Sequence, residues 1–235
     1  MPKGTLFLIP VPLAENSADK VLPHYQLQLI NNISIYIVEN EKTARFWLKN
    51  MGLKTLQSEL LIHVYGKHSD KVDIREYFKD LESGKDVGLM SEAGCPAVAD
   101  PGSDIVMEAH RKGIKVVPMV GPNSILLALM ASGFNGQSFT FQGYLPIDKA
   151  QRIKRIKELE NIAERHSQTQ IFIETPFRNN QILEAILSTC NPKTRLCVAC
   201  NITAEDEQII SQPVEQWRKL KVDFHKKPAI FLISK

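Results

Sequence analysis

Four short apolar runs punctuate the first 120 residues: TLFLI (5–9), ISIYIVE (33–39), DVGLMS (86–91) and IKVVPM (114–119). Amphipathic stretches at 41–50, 70–83 and 103–112 lie among them, with apolar residues at helical spacing such as Val72, Tyr77, Phe78 and Leu81. Apolar runs of strand length, alternating with helical periodicity, restrict the chain to a parallel sheet covered by its own crossover helices. Gly84 and Gly113 stand where such helices end.

The second half reads differently. SFTFQGYL (138–145), TQIFIET (169–175), TRLCVAC (194–200), EQIISQ (207–212) and PAIFLIS (228–234) are predicted strands. Helices fit at 149–165 and 177–189, with a short one at 213–220. Closely spaced late strands imply an antiparallel or mixed sheet. The expected architecture is therefore two α/β domains, 1–119 and 122–235, broken at Val120–Pro122 within PMVGPNS. A chain of 235 residues accommodates two such domains.

Composition narrows the class. A net charge of +3 neither demands nor excludes a nucleic-acid partner. No apolar run approaches the roughly 18 residues of a membrane span, and MPKGTLFLIPVP reads as a first strand, not a signal peptide. A cytoplasmic location without membrane attachment is expected. Cys197 and Cys200 form a C-x-x-C with no matching second pair, and three-residue spacing on a strand turns them to opposite faces. They read as buried thiols, so no metal site is expected.

The loop GLMSEAGCPAVADPGSDIV (88–106) follows a predicted strand and carries Gly94, Pro96, Pro101, Gly102, Glu92 and Asp100. Glycines permit close backbone approach and prolines stiffen the path, which suits a ligand loop at a strand's carboxyl end. Asp100 or Ser103 is the expected cap of the following helix. VGPNSILLALMASGF (120–134) predicts a nearly all-apolar, buried helix. IFIETPFRNN (171–180) is a further strand-end loop, with Pro176 placed to open a helix. DKAQRIKRIK (148–157) crowds Lys149, Arg152, Lys154, Arg155 and Lys157 onto one short helix, either a phosphate grip or a solvated face. His68, in HVYGKHSD, is a loop histidine suited to acid–base work or a phosphate contact. Neither G-x-x-x-x-G-K-[ST] nor a G-x-G-x-x-G after a strand occurs, which argues against ATP hydrolysis and standard dinucleotide dehydrogenases.

Together these stretches resemble the tetrapyrrole-methylase-type (class III) S-adenosylmethionine methyltransferases, above all the bacterial small-subunit rRNA cytidine 2′-O-methyltransferase branch. SEAGCPAVADPG (91–102) is similar to that branch's S-D-A-G-T-P-x-x-x-D-P-G. MVGPNSILLALMASG (119–133), FTFQGYLP (139–146) and IETPFR (173–178) follow in the branch's order. ENEK (39–42) keeps only the Glu of its E-D-T-R, YGKHS (65–69) keeps Tyr65 and His68, and CNITA (200–204) keeps Thr203.

The resemblance implies a homodimer of two α/β domains, the N-terminal sheet mostly parallel and the C-terminal one mixed. It places S-adenosylmethionine in the interdomain cleft, with rRNA or the small ribosomal subunit as partner. Cofactor contacts are expected from Ser91, Glu92, Ala93, Gly94, Ala99, Asp100, Pro101, Gly102, Gly121, Ser124, Glu174, Thr175 and Pro176. Glu39 and His68 are the expected catalytic groups, and Arg45, Lys149, Arg152, Arg155 and Arg178 the expected RNA contacts. A small-molecule acceptor, or cofactor binding without methyl transfer, remain the alternative functions.

Overall fold

The computed structural model describes residues 2–65 and 74–235. The chain divides into two compact units, Met1–Asn123 and Ser124–Lys235.

The first unit holds strands β1 (Thr5–Leu8), β2 (Ile35–Val38), β3 (Leu61–Val64), β4 (Val87–Met90) and β5 (Lys115–Pro118). They form one sheet in the order β3-β2-β4-β1-β5, and every pairing is parallel. Its helices are α1 (Ala18–Val21), α2 (His24–Leu29), α3 (Glu41–Asn50), α4 (Ile74–Glu82) and α5 (Ser103–Arg111). The IYIV of β2 and VGLM of β4 are buried throughout, because helices cover both sheet faces. One face packs Ile9, Ile30, Tyr36, Trp47, Leu48 and Met90. The other packs Leu6, Ile37, Phe78, Leu81, Leu89 and Ile105.

Local chemistry sets the helix ends. Asn40 caps α3 by accepting from the Thr43 N–H at 3.1 Å. At α5 the expected side-chain cap is absent: Gly102, which has no side chain, occupies the cap position. Its φ of +125° turns the chain into the helix, while Asp100 pairs with the Ser91 hydroxyl instead. Two further differences from the sequence reading concern β3, a half-exposed edge strand, and α1–α2, short helices among Pro10, Pro12 and Pro23.

The second unit contains α6 (Ser124–Ser132), β6 (Phe139–Tyr144), α7 (Lys149–His166), β7 (Thr169–Ile173), α8 (Asn179–Thr189), β8 (Arg195–Cys200), β9 (Gln208–Pro213), α9 (Val214–Trp217) and β10 (Ala229–Ser234). Strand order is β6-β7-β10-β8-β9. β6 and β7 run parallel, whereas β10 is antiparallel to both β7 and β8, so this sheet is mixed. Its core gathers Ile156, Leu159, Phe172, Ile186, Trp217 and Phe231. The Trp217 indole N–H donates to the Leu196 carbonyl at 2.8 Å, satisfying the buried ring's one polar atom.

α6 is only half buried, contrary to its apolar composition. Ile125, Ala128 and Leu129 are inside, whereas Leu126 and Met130 are exposed. Cys197 and Cys200 are buried free thiols. Cys200 joins the core above, and strand alternation turns Cys197 to the opposite face.

Candidate functional site

The strand order creates a crevice in the first unit. After β1 the chain crosses past β4 to reach β2, using the face that packs Trp47 and Leu48. After β4 it crosses past β1 to reach β5, using the face that packs Phe78 and Ile105. Connections diverging to opposite faces leave an opening above the carboxyl ends of β1 and β4. The Ser91–Gly102 loop starts there.

Two backbone hydrogen bonds close the floor of that opening. The Val11 N–H donates to the Gly94 carbonyl at 3.0 Å, and the Gly94 N–H returns the bond at 3.1 Å. Gly94 sits at φ +72°, and a Cβ there would lie 3.2 Å from Leu13 Cδ2. At Gly102, φ +125°, a Cβ would lie 3.1 Å from Leu89 Cδ2. Gly121 packs on Pro10, whose Cβ would be only 2.3 Å from a Gly121 Cβ. Ala97 and Ala99 also adopt positive φ, 64° each, a conformation that costs a non-glycine residue energy and that functional loops retain.

Three carboxylates converge on this edge. Glu39 follows β2, and Glu92 and Asp100 belong to the loop after β4. Burial pushes the Glu39 carboxyl up from 4.5 to about 7, Asp100 and Glu92 add to the shift, and the Glu92 backbone opposes it. Glu39 Oε1 is buried with no hydrogen-bond partner. Burial, then Glu92, raises Asp100 from 3.8 to about 6, against the Ser91 hydroxyl. Ser91 is itself buried, its Oγ 3.3 Å from the Ala93 carbonyl oxygen.

Helix α3 anchors the loop through residues absent from the sequence reading. The Trp47 indole N–H donates to the Glu92 carbonyl at 3.1 Å, and Thr43 Oγ1 to Glu92 Oε1 at 3.4 Å. Their i, i+4 spacing on a helix that follows Glu39 is the only sequence signal for them. At the end of β3, the Tyr65 hydroxyl donates to Asp104 Oδ2 at 3.2 Å. His68 lies outside the described residues.

The remaining expected cofactor residues belong to the second unit. Ser124 is the first residue of α6. Glu174 follows β7; its side chain is wholly buried and one oxygen accepts from the Thr175 N–H at 2.6 Å and from Arg178 Nη2 at 2.5 Å. Pro176 opens a 3₁₀ turn, Pro176–Arg178, as its fixed φ allows.

The expected RNA contacts fare unevenly. Arg45 is tied to Glu41 at 2.7 Å and to the Gln57 carbonyl. Arg178 is tied to Glu174. Arg152 is buried and donates to the Ile147 carbonyl at 2.9 Å, because its helical position faces the core beside Ile156. Arg155 bonds Gln142 and Glu158. Lys149, Lys154 and Lys157 are exposed on α7.

The fold and this edge define a class: a two-unit α/β protein with a ligand crevice at strand carboxyl ends. Solved structures share the fold. Uroporphyrin-III-C-methyltransferase from Thermus thermophilus aligns over 99% of this chain and 92% of its own, with TM-score 0.57 and 16% identity. The methyltransferase CobJ aligns over 100% and 95%, with TM-score 0.62 and 16% identity. A family model, Tetrapyrrole (Corrin/Porphyrin) Methylases, matches residues 40–217. The chain is similar to proteins named Ribosomal RNA small subunit methyltransferase I. That of Vibrio cholerae is 28% identical over 92% of this chain and 72% of its own length, and that of Bacillus subtilis 30% over 91% and 68%.

The chain belongs to the tetrapyrrole methylase family, whose members use S-adenosylmethionine as methyl donor, and is a methyltransferase of that kind.

Proposed function

We propose that this methyltransferase acts on small-subunit rRNA, transferring the methyl group to a ribose 2′-hydroxyl, with S-adenosylmethionine held against the Ser91–Gly102 loop. The observation that carries the reading is Glu39: a carboxylate at the end of β2, with a buried unpaired oxygen, held near neutrality beside Glu92 and Asp100.

The residues present suit the cofactor. Gly94 and Gly102 hold positive φ and Gly121 packs on Pro10, which together fix the path of the loop, and a carboxylate edge suits a cationic sulfonium and ammonium. Bound S-adenosylmethionine supplies a methyl group already activated by its sulfonium. Glu39 Oε1 accepts the hydroxyl proton as the acceptor oxygen becomes nucleophilic, and a carboxylate titrating near 7 is suited to that task. Thr43 and Trp47 hold Glu92 so that the carboxylates stay in place. Lys149, Lys154 and Lys157 meet RNA phosphates. The names of the similar Vibrio cholerae and Bacillus subtilis proteins support an rRNA acceptor.

A small-molecule acceptor is the second reading. The internal pairing of Arg45 and Arg178 and the burial of Arg152 favour it, because these cations are then withheld from phosphate.

The test is transfer of labelled methyl to naked small-subunit rRNA and to assembled small subunits. A ribose 2′-O-methyl protects its phosphodiester from alkali, so the label is expected in an alkali-resistant dinucleotide. Label confined to a base overturns the ribose assignment, and no label on either RNA substrate overturns the rRNA reading.

A further inference from the structure

A basic strip runs alongside α8 in the second unit. Between α9 and β10 lies RKLKVDFHKK (218–227), where Arg218, Lys219, Lys221, Lys226 and Lys227 stand against a single acid, Asp223. Hydrogen bonds pin this segment to both ends of the helix. Towards the helix C-terminus, Arg218 Nε and Nη2 donate to the Leu187 and Cys190 carbonyls at 3.0 and 3.2 Å. Towards its N-terminus, the Phe224 N–H donates to Asn180 Oδ1 at 2.9 Å, and Asn179 Nδ2 donates to the Lys227 carbonyl at 2.6 Å. The Lys226 N–H donates to the Pro176 carbonyl at 2.9 Å. With 11 residues in α8, the strip is about 16 Å long.

Its charge is left open. Lys219, Lys221 and Lys226 are exposed, and among the described residues no ion pair involves them. Other surface cations of this chain do pair, as Arg45 does with Glu41, Lys85 with Asp80 and Arg111 with Glu108. Asp223 is taken by Asn180 Nδ2 at 2.7 Å and by the His225 N–H at 2.9 Å. At one end of the strip stands Phe177, 64% exposed. Lys226 Nζ lies 6.0 Å from its ring centroid, and the His225 ring meets it edge-on, also at 6.0 Å. Near the other end an open groove of about 520 Å³ is lined by Leu183, Leu187 and Val222 together with Asn180, Glu184 and Arg218.

A single exposed phenylalanine is ordinary, and so is a basic face laced with carboxylates. The combination here is neither. Unpaired cations attract a polyanion, and a bare π-face beside them accepts a base that is not already stacked in a duplex. The apolar lining of the groove adds a second surface on which a base or ribose can rest, which an anionic membrane surface has no use for.

We propose that Phe177, His225, Lys226 and the 218–227 segment form a contact surface for single-stranded RNA, with Phe177 as the stacking platform for an unpaired base. This rests on the reading of RNA as the acceptor, and assigns it a surface separate from the lysines of α7.

The experiment is fluorescence anisotropy of the full chain with a labelled single-stranded oligoribonucleotide of about 12 nucleotides, over a range of salt. Wild type is expected to bind. Phe177→Ala is expected to weaken binding by about tenfold with the salt slope unchanged, because stacking is not a phosphate contact. Phe177→Trp is expected to restore it. Replacing Lys219, Lys221 and Lys226 by glutamine is expected to lower the slope of log affinity against log salt by about two. All four positions are exposed, and melting curves establish that the variants are folded. Variants that bind within about twofold of wild type, or a wild type that binds phosphatidylserine vesicles and not the oligonucleotide, overturn the inference. The acceptor reading is judged separately, by methyl transfer to small-subunit rRNA: transfer by a wild type whose binding ignores these substitutions removes this surface and leaves that reading standing, whereas no transfer removes the reading.

Discussion

Glu39 is the base of the proposed mechanism, and its surroundings set when it could act. Its carboxyl titrates at about 7, so as a base it is competent only above that value. The rate of methyl transfer is expected to rise with pH through about 7 and then level. Glu39→Gln is expected to lower kcat by about 100-fold or more and to leave cofactor affinity within a few-fold, measurable by pre-steady-state transfer and calorimetry. The same group affects stability with a definite sign. Between 4.5 and about 7 the folded chain binds the Glu39 proton more tightly than the unfolded chain does, so stability falls as pH rises through that window. Glu39→Gln is therefore expected to melt higher than wild type at pH 8 and no higher at pH 4. Discounted for partial exposure, the gain is on the order of 1 kcal/mol. The sequence placed Glu39 at a strand end, but not its neighbours. Residues 39, 92 and 100 meet only because β4 inserts beside β2, and strand order has no local signature.

At the scale of elements, α7 separates two uses of a basic side chain. Lys149, Lys154 and Lys157 are exposed, whereas Arg152 on the same helix is buried. Replacing the three lysines by glutamate is expected to weaken RNA binding without unfolding the protein. It should also reduce the slope of log affinity against log salt by about two on single-stranded RNA, read by titration at several salt concentrations. Arg152→Ala is expected to do the reverse, lowering the melting temperature while leaving the salt slope unchanged. At α3, Asn40→Ala is expected to cost about 1 kcal/mol in chemical denaturation through loss of the cap. Long periodic helices such as α3, α5, α7 and α8, and strongly apolar strands such as β2 and β10, were legible from pattern alone. β3 was not: LIHV is an edge strand with both end residues exposed, so it shows neither alternation nor a continuous buried run. α1 and α2 were hidden because prolines at 10, 12 and 23 read as loop. The burial of Arg152 was not legible for a related reason, since charge alone does not show which face of a helix a residue occupies.

Over the whole molecule, the two units differ as the texture of the sequence suggests. The first is a parallel sheet buried on both faces, the second a mixed sheet. Alternating elements suffice to infer a parallel sheet, but the order β3-β2-β4-β1-β5 follows from which helix covers which face. That order produces the crevice at which the glycine- and proline-rich loop begins. The central claim is that this loop is the cofactor wall. Its most direct test is calorimetric titration of S-adenosylmethionine into wild type, Gly94→Val and Gly102→Val, each checked for folding. Both glycines hold positive φ with a side chain about 3 Å from where a Cβ would stand, so valine must displace the loop. The account predicts micromolar binding by wild type and at least tenfold weaker binding by each variant. Folded wild-type protein that binds no S-adenosylmethionine, or folded variants that bind it as tightly as wild type, would contradict it.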